Sequence, residues 1–343
     1  MFGMNSSNRG AAGVIVTVGA ASLLLAGCSS SSSPADGDSA AAGACAGKKI
    51  AFVMGAESDP FFQAMKVGAQ DEATKLGAEL IWQGDPKEYS PATQIPVVDQ
   101  VLAQKPDGLV LIPTDPDALQ PSVTKAVDAG VIVANVDTRV TDLSKVLTFI
   151  TGDNADGGAK AAEAIAGAIG YAEGGKYKVV VGLTSETATT NVARLEGFKA
   201  AVAAKFPGIE IVDVAYSQSK PEVANTNVNN WLTKYPDLNG IFAIDGTNGQ
   251  GAAAALQAKG LTGKVALVGY DAYPDNVGLI KTGVFTALIA QDPATEARQA
   301  IDSLCTKLGG GDAAGIKAEV VIPNVVLDKN TTEADLKKYT YVA

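Results

Sequence analysis

The chain contains no histidine. That removes the commonest general base, the commonest zinc ligand and the only side chain whose unperturbed pKa lies near neutrality. Serine–histidine and cysteine–histidine catalysis are excluded outright. Metal sites built from carboxylates alone, and acid–base chemistry by Asp or Glu pairs, stay open. Cysteine is scarce, with three in 343 residues, and aromatic residues make up only 6%. Basic residues are outnumbered: 27 Lys and Arg against 37 Asp and Glu give a formal charge of −10, which speaks against a nucleic-acid partner. No Gly-Lys-Ser/Thr run is present to cradle a phosphate, so this chain does not hydrolyse nucleotides. Beyond the N-terminus no apolar segment is long enough to cross a membrane.

What is present reads as globular, with 47% apolar and 19% charged residues over a length that suits roughly two domains of about 150 residues. Residues 11–26 form an apolar run after Arg9 that ends in Leu25-Ala26-Gly27-Cys28 before a serine tract. It is shorter than the about 20 residues a membrane span needs and reads as a signal-peptide core. The Leu-Ala-Gly-Cys ending resembles the lipobox of bacterial lipoproteins, which implies a signal peptide over 1–27 and a lipid on Cys28. Residues 28–47 are Ser, Ala, Gly and Asp with little to bury, and are expected to be a flexible tether, with the folded body beginning near Lys48. The mature protein is then extracytoplasmic and lipid-anchored to the cell membrane. In that compartment Cys45 and Cys305 either pair, pinning the start of the body to a late helix, or stay as two free thiols.

Apolar, β-branched runs of strand length occur at 49–54, 78–82, 108–112, 131–136, 146–150, 177–183, 209–215, 240–244, 265–268 and 285–289. Ala-rich amphipathic stretches such as 60–76, 116–129, 154–169 and 191–205 lie between them. Strands with so little polar alternation are buried on both faces, which predicts parallel sheets covered by helices. Ten strands exceed the usual five or six of one doubly wound sheet, so the expected architecture is α/β with two doubly wound lobes. A helix is missing between 136 and 146, a break at which a chain can cross between lobes. A second crossing after Ile289 and a third at 318–327, interrupted by Pro323, complete a three-strand hinge. The lobes are expected to comprise 48–152 plus 292–322, and 153–291 plus 323–343.

Ligands of open parallel sheets gather beyond the carboxyl ends of strands. Here those positions hold Glu57-Ser58-Asp59-Pro60-Phe61-Phe62, Pro113-Thr114-Asp115 and Asp137-Thr138-Arg139 in the first half. In the second half they hold Thr184-Ser185-Glu186 leading to Thr190-Asn191, then Asp245-Gly246-Thr247-Asn248, Tyr270-Asp271 and Gln291. Carboxylates, amides, a guanidinium and aromatic rings are gathered without a nucleophile–base pair. That set suits a small neutral polyhydroxylated ligand, whose hydroxyls donate to carboxylates and accept from Arg or amides while its C–H faces lie on rings. Blander roles compete. Asp59, Asp115 and Asp153 precede predicted helices, where Asp caps free N–H groups; the cap is preferred for Asp115 and Asp153, less so for Asp59 beside Pro60-Phe61-Phe62. Phe61 and Phe62, adjacent on a helix, cannot both face the core. Tyr270 is open to a core role, Trp82 and Trp231 read as packing residues, and Asp137 and Asp271 have no evident capping duty. Gly246-x-x-Gly249-x-Gly251 has the wrong order for a dinucleotide site, and the 153–163 stretch lacks the first carboxylate of a calcium loop, so no cofactor and no metal is expected.

Asp59-Pro60-Phe61-Phe62, Leu111-Ile112-Pro113-Thr114-Asp115, Asp153-Asn154 with Gly157-Gly158, Arg194-Leu195-Glu196-Gly197-Phe198, Val268-Gly269-Tyr270-Asp271 and Ala290-Gln291 stand in a shared order and spacing. The chain from about Lys48 to Asp328 thereby resembles the periplasmic sugar-binding proteins of ABC importers, in the ribose-binding-like type I group. The resemblance implies a monomeric two-lobed clamp, not an enzyme, that closes on a sugar or sugar alcohol and presents it to a membrane permease. It implies hydroxyl contacts from Asp59, Asp137, Asp245 and Asp271, rings from Phe61 and Phe62, and a hinge amide at Gln291. The family's Arg after the Asp137 position is replaced by Thr138, with Arg139 next, and Val192 stands where ribose binders carry another Arg, leaving Asn191 as the substitute. Gly55 replaces a polar residue. Whether Arg139 or Arg194 faces the ligand stays open, as do a cationic ligand and a receptor that feeds a sensor kinase.

Overall fold

The run Lys-Ile-Ala-Phe-Val-Met shows how the body is built. In a computed structural model, which describes residues 43–342, it forms β1 (Lys49–Met54). Ile50, Phe52 and Met54 enter one apolar cluster, and Ala51 and Val53 enter another on the opposite face, so the strand is buried on both sides. Asp59 and Pro60 then start α1 (Pro60–Leu76): the Asp59 carboxylate accepts from Phe61 N at 2.9 Å, and Pro60 occupies a position whose N–H would have had no partner. Gly77, left-handed at φ 78°, ends the helix.

The same strand–helix unit repeats. The first sheet adds β2 (Glu79–Gly84), β3 (Gly108–Leu111), β4 (Ile132–Val136) and β5 (Phe149–Gly152), in the order β2-β1-β3-β4-β5. The second contains β6 (Tyr177–Leu183), β7 (Ile209–Tyr216), β8 (Gly240–Ala243), β9 (Ala266–Tyr270) and β10 (Ala287–Ala290), in the order β7-β6-β8-β9-β10. Each order reverses once, between β1 and β3 and between β6 and β8, which creates a ligand-gathering switch point in each sheet. The sheets exchange their last strands: β11 (Glu319–Ile322) lies parallel beside β5, and β12 (Val325–Asp328) lies antiparallel beside β10. Passing from β11 to β12 with no intervening helix leaves no length in which to reverse direction, so β12 departs from the all-parallel expectation.

The break after β4 is not a crossing. β4 and β5 pair in parallel within the first sheet, joined by a loop. The chain crosses just after β5 into α4 (Asn154–Ala168), which packs on the second sheet, and returns after β10 into α9 (Pro293–Leu308), which packs on α1 and on β3 to β5. The third crossing is β11 to β12. Trp231 is buried and Trp82 stacks beside Phe52 with ring centroids 4.7 Å apart, so both pack as expected.

The body also begins earlier than Lys48. Cys45 is fully buried and disulfide-bonded to Cys305 of α9, and its N–H donates to Leu76 O at 3.0 Å. Residues 43–47 therefore form an anchored turn, not the end of a tether. The signal peptide, Cys28 and the tether as far as residue 42 lie outside the described residues. No described helix is long and apolar enough to cross a membrane.

Candidate functional site

The strands of both sheets aim their carboxyl ends at a shared cleft. Asp59, Phe61 and Phe62 arrive from the end of β1, Asp137 from β4, Thr184 from β6, Asp245 from β8, Asp271 from β9 and Gln291 from β10, and all line one cavity of about 50 Å³. Phe61 and Phe62 both reach it, edge to face at 5.4 Å, as the resemblance implies. Both also belong to the apolar cluster beneath, so the first turn of α1 sits at the border of core and cleft, where two adjacent rings can share the cavity.

Asp137 and Asp271 occupy equivalent places. Each N–H still pairs with the neighbouring strand, to Ile150 O at 2.8 Å and Ile289 O at 2.9 Å, before the backbone turns left-handed at φ 59° and 67°. Asp tolerates that conformation better than most residues, and departures of this kind concentrate at functional sites. Gln291 Nε2 at 2.8 Å and the Tyr341 hydroxyl at 3.0 Å donate to one oxygen of Asp271, and Gly246 N donates to the other at 3.0 Å. Asp137 differs: among the described residues no donor reaches its carboxyl oxygens. Asp245 is the opposite case. Its two oxygens accept from Thr247 Oγ1, Asn248 N, Thr184 Oγ1 and Asn248 Nδ2 at 2.6–2.8 Å, which fills its four lone-pair directions. It caps α7 (Gly246–Ala258) and, although it borders the cavity, has no acceptor to spare for a ligand in this conformation.

Of the two arginines left open by the sequence, Arg139 stays outside the cavity. Arg139 is half-buried; its N–H donates to Thr189 Oγ1 at 3.2 Å, and its side chain lines a separate surface depression beside Glu186 and Val321. Arg194 enters the cavity instead. Its Nε donates to Asn154 Oδ1 at 2.8 Å and its Nη1 to Ile244 O at 3.0 Å, while Nη2 is buried without a protein partner. Thr190, Asn191 and Arg194 share one face of α5 (Thr189–Lys205), whereas Val192 is 41% exposed. The i, i+3 and i+4 spacing of those residues was a legible signal. Asn191 lines the cavity with its Oδ1 already accepting from Thr184 N at 2.7 Å.

Tyr270 does not line the cavity. Its ring lies beneath Arg194, 3.7 Å from the guanidinium carbon, and its hydroxyl accepts from Asn324 Nδ2 at 2.6 Å. It supports the arginine. Asn154, Gln291 and Asn324 each stand at one of the three crossings and hold, respectively, Arg194, Asp271 and Tyr270. Asp153 takes the capping role preferred for it, accepting from Asp156 N at 3.2 Å, whereas Asp115 accepts from Ala118 N at 2.8 Å in the turn ahead of the helix Gln120–Asp128, whose own first position is flanked by Leu119 with no side-chain cap. Three cavity or floor residues lie in segments without periodicity and carried no signal: Tyr89, Tyr273 and, three places from the end of the chain, Tyr341.

Burial dominates the electrostatics. It pushes Asp59 up to about 7, against the hydrogen bonds from Tyr273 and Phe61 N and with repulsion from Asp271 and Asp245 adding to it. Burial also raises Asp137 and Asp271, with Arg194 opposing the rise in both. Behind the cleft, the buried Glu296 carboxyl has no hydrogen-bond partner and is raised well above its ordinary value by burial and by Asp137. Such a site offers several acceptors and one strong free donor in a largely buried space. No group of three or more potential ligands among the described residues is arranged to hold a metal ion.

Residues 50–312 match the family model described as a periplasmic binding protein domain. The chain belongs to the ribose-binding-like type I periplasmic binding proteins. A D-ribose/D-allose-binding protein of Pseudomonas aeruginosa is 31% identical over 271 residues, a match covering 76% of this chain and 82% of that protein. A ribose import binding protein of Salmonella typhimurium is 35% identical over 254 residues, covering 74% and 82%. Among solved structures, an ABC transporter solute-binding protein of Agrobacterium vitis bound with α-D-tagatopyranose superposes with a TM-score of 0.81 at 32% identity, covering 86% of this chain and all of that one.

Proposed function

We propose that this protein is the extracytoplasmic solute-binding component of an ABC importer, capturing a sugar or sugar alcohol between two closing lobes and delivering it to the permease. The lobes are residues 48–152 plus 292–322 and 153–291 plus 323–343, and the protein is held at the cell membrane by a lipid on Cys28. The observation that carries this reading is the convergence of Asp59, Asp137, Asp271, Arg194 and the Phe61–Phe62 pair on one cavity between the two sheets. Asp137 and the free oxygen of Asp59 accept ligand hydroxyl protons, Arg194 Nη2 donates to a ring or hydroxyl oxygen, and the two rings cover a C–H face. The protein acts as a monomer.

Micromolar affinity needs about 8 kcal/mol net. Several hydrogen bonds to charged groups, at about 1.5–3 kcal/mol each, supply it after association and closure costs. Because the contacts come from both sheets, a ligand stabilises the closed arrangement over the open one, which lets a permease tell loaded from empty. The cleft is already bridged here by the Tyr273 hydroxyl on Asp59 and by Lys220 on Glu88 at 3.1 Å.

A second reading, a cationic ligand, is favoured by the four carboxyls that border the cavity against a single Arg194. A thermal-shift panel of pentoses, hexoses, polyols and small amines separates the two. Stabilisation by several degrees with sugars or polyols is the expected result. A shift with amines alone would replace the sugar by a cation, and Cys28→Ser leaving the protein membrane-bound would remove the anchor.

A further inference from the structure

We propose that Tyr273 is a specificity-determining wall of the ligand cavity that selects five-carbon sugars and polyols over hexoses. This assignment rests on the sugar-site function proposed above and names the size of the ligand that site accepts.

Tyr273 precedes α8 (Pro274–Ile280) at the end of the loop after β9 and is 2% exposed. Its ring leaves the second sheet's side of the cleft and its hydroxyl donates to Asp59 on the other side. The ring is fixed from three directions. Beneath it lies Gly246, where a Cβ would stand 2.2 Å from the ring's Cζ, so only glycine admits a phenol here. Gly246 is itself held, its N–H donating to Asp271 at 3.0 Å and its carbonyl accepting from Asn276 Nδ2 at 3.1 Å. Behind the ring stands Tyr341, with centroids 6.0 Å apart. At its tip is the bond to Asp59.

Two consequences bear on the ligand. A side chain held at base and back by residues of its own side of the cleft, and at its tip whenever the cleft is closed, does not swing aside, so the space it fills is withdrawn from the ligand. What remains is a cavity of about 50 Å³, well below the about 300–1,000 Å³ usual for small-molecule sites. The oxygen of Asp59 that accepts from Tyr273 also accepts from Phe61 N, which leaves the ligand only the second oxygen on that side. A ligand therefore ends with one hydroxyl there, where an additional hydroxymethyl group would meet the phenol.

The test is titration calorimetry with D-ribose, D-arabinose and xylitol against D-allose and D-galactose. It is applied to the wild-type protein, Tyr273→Ala, Tyr273→Leu and Tyr273→Phe. The wild type is expected to bind its best five-carbon ligand roughly tenfold or more tighter than its best hexose, the discrimination a pocket achieves over about one carbon. Tyr273→Ala should reduce that ratio to near one or invert it. Tyr273→Leu, which keeps apolar packing should the alanine variant not fold, should move it the same way. Tyr273→Phe keeps the wall and loses only the bond to Asp59, so its ratio should stay while all affinities fall together. A wild type that prefers hexoses, or a ratio unmoved in both Tyr273→Ala and Tyr273→Leu, overturns the assignment of Tyr273 alone. Absence of binding to every sugar and polyol would overturn the sugar-site function itself.

Discussion

Asp137 shows how a site built for a ligand differs from one built for stability. Its carboxyl is buried at the end of β4, faces Arg194, and is met by no donor among the described residues, whereas the carboxylate of Asp245 is fully bonded by its own helix. Asp137→Asn should therefore weaken ligand binding about tenfold or more by calorimetry, while the ligand-free protein melts at the same temperature or higher because a buried charge is gone. An affinity within twofold of wild type would take Asp137 out of the contacts. Asp271→Ala removes a group braced by Gln291, Tyr341 and Gly246 and should abolish ligand-induced thermal stabilisation. The pH response has a defined sign. Folding raises Asp59 from 3.8 to about 7, so the folded state keeps a proton that the unfolded state releases between those values. Ligand-free stability should fall by roughly 1 kcal/mol per pH unit across that window and level off above it. Asp137 and Asp271 are shifted in the same direction, so the measurement is the slope by which denaturant unfolding of Asp59→Asn is flatter than wild type. Equal slopes would count against it. At this scale the sequence exposed the acids and rings that follow strands, because strand ends are predictable places. It left the choice between Arg139 and Arg194 open, and it hid Tyr273 and Tyr341 entirely, because loops and tails carry no period from which a facing direction follows.

At the scale of elements, α4 and α5 approach so closely that Gly158 and Gly197 each lie against the other helix's backbone. An added Cβ would stand 2.0 Å from Arg194 O and 2.0 Å from Ala155 O, respectively. Gly197→Ala should destabilise by about 1–3 kcal/mol and also weaken ligand binding, since the helix it displaces carries Arg194. Gly167, late in α4 with open space around it, is the control: Gly167→Ala should be neutral or slightly stabilising. Equal melting temperatures for the two variants would refute the close-packing account. Glycines of the decoy run serve the same purpose, for Gly251 lets α7 lie against Pro221 O of α6 (Pro221–Lys234). Element types were legible because buried parallel strands and Ala-rich helices differ in both length and period. Their edges were less so. β5 lies a few residues later than its apolar run, since pairing with β4 and β11 sets its register, and β12 runs against its neighbours because of connection length, which hydrophobic pattern does not encode.

For the whole molecule, two sheets follow from counting strands against the capacity of one sheet, and the crossings after β10 and between β11 and β12 were legible, whereas the first lies after β5 and not in the helix-free break after β4. How the sheets face one another depends on partners far apart in the chain, such as Asp59 with Tyr273 and Glu88 with Lys220, and no local pattern announces these. The Cys45–Cys305 bond is another such pair, closing a loop of 260 residues. Replacing both cysteines by serine should lower stability by about 2–5 kcal/mol and the melting temperature by several degrees. Ligand affinity should be retained, because neither residue borders the cavity; a large loss of affinity would tie the bond to the cleft. The position of this bond also decides how the molecule carries load. Tension on the segment ahead of Gly43 passes through sulfur into α9, a helix seated on α1 and on β3 to β5. It does not peel β1 out of the middle of its sheet. Any pull from that end is thus borne by the first sheet and its helices, and reaches the second sheet only through the three crossings.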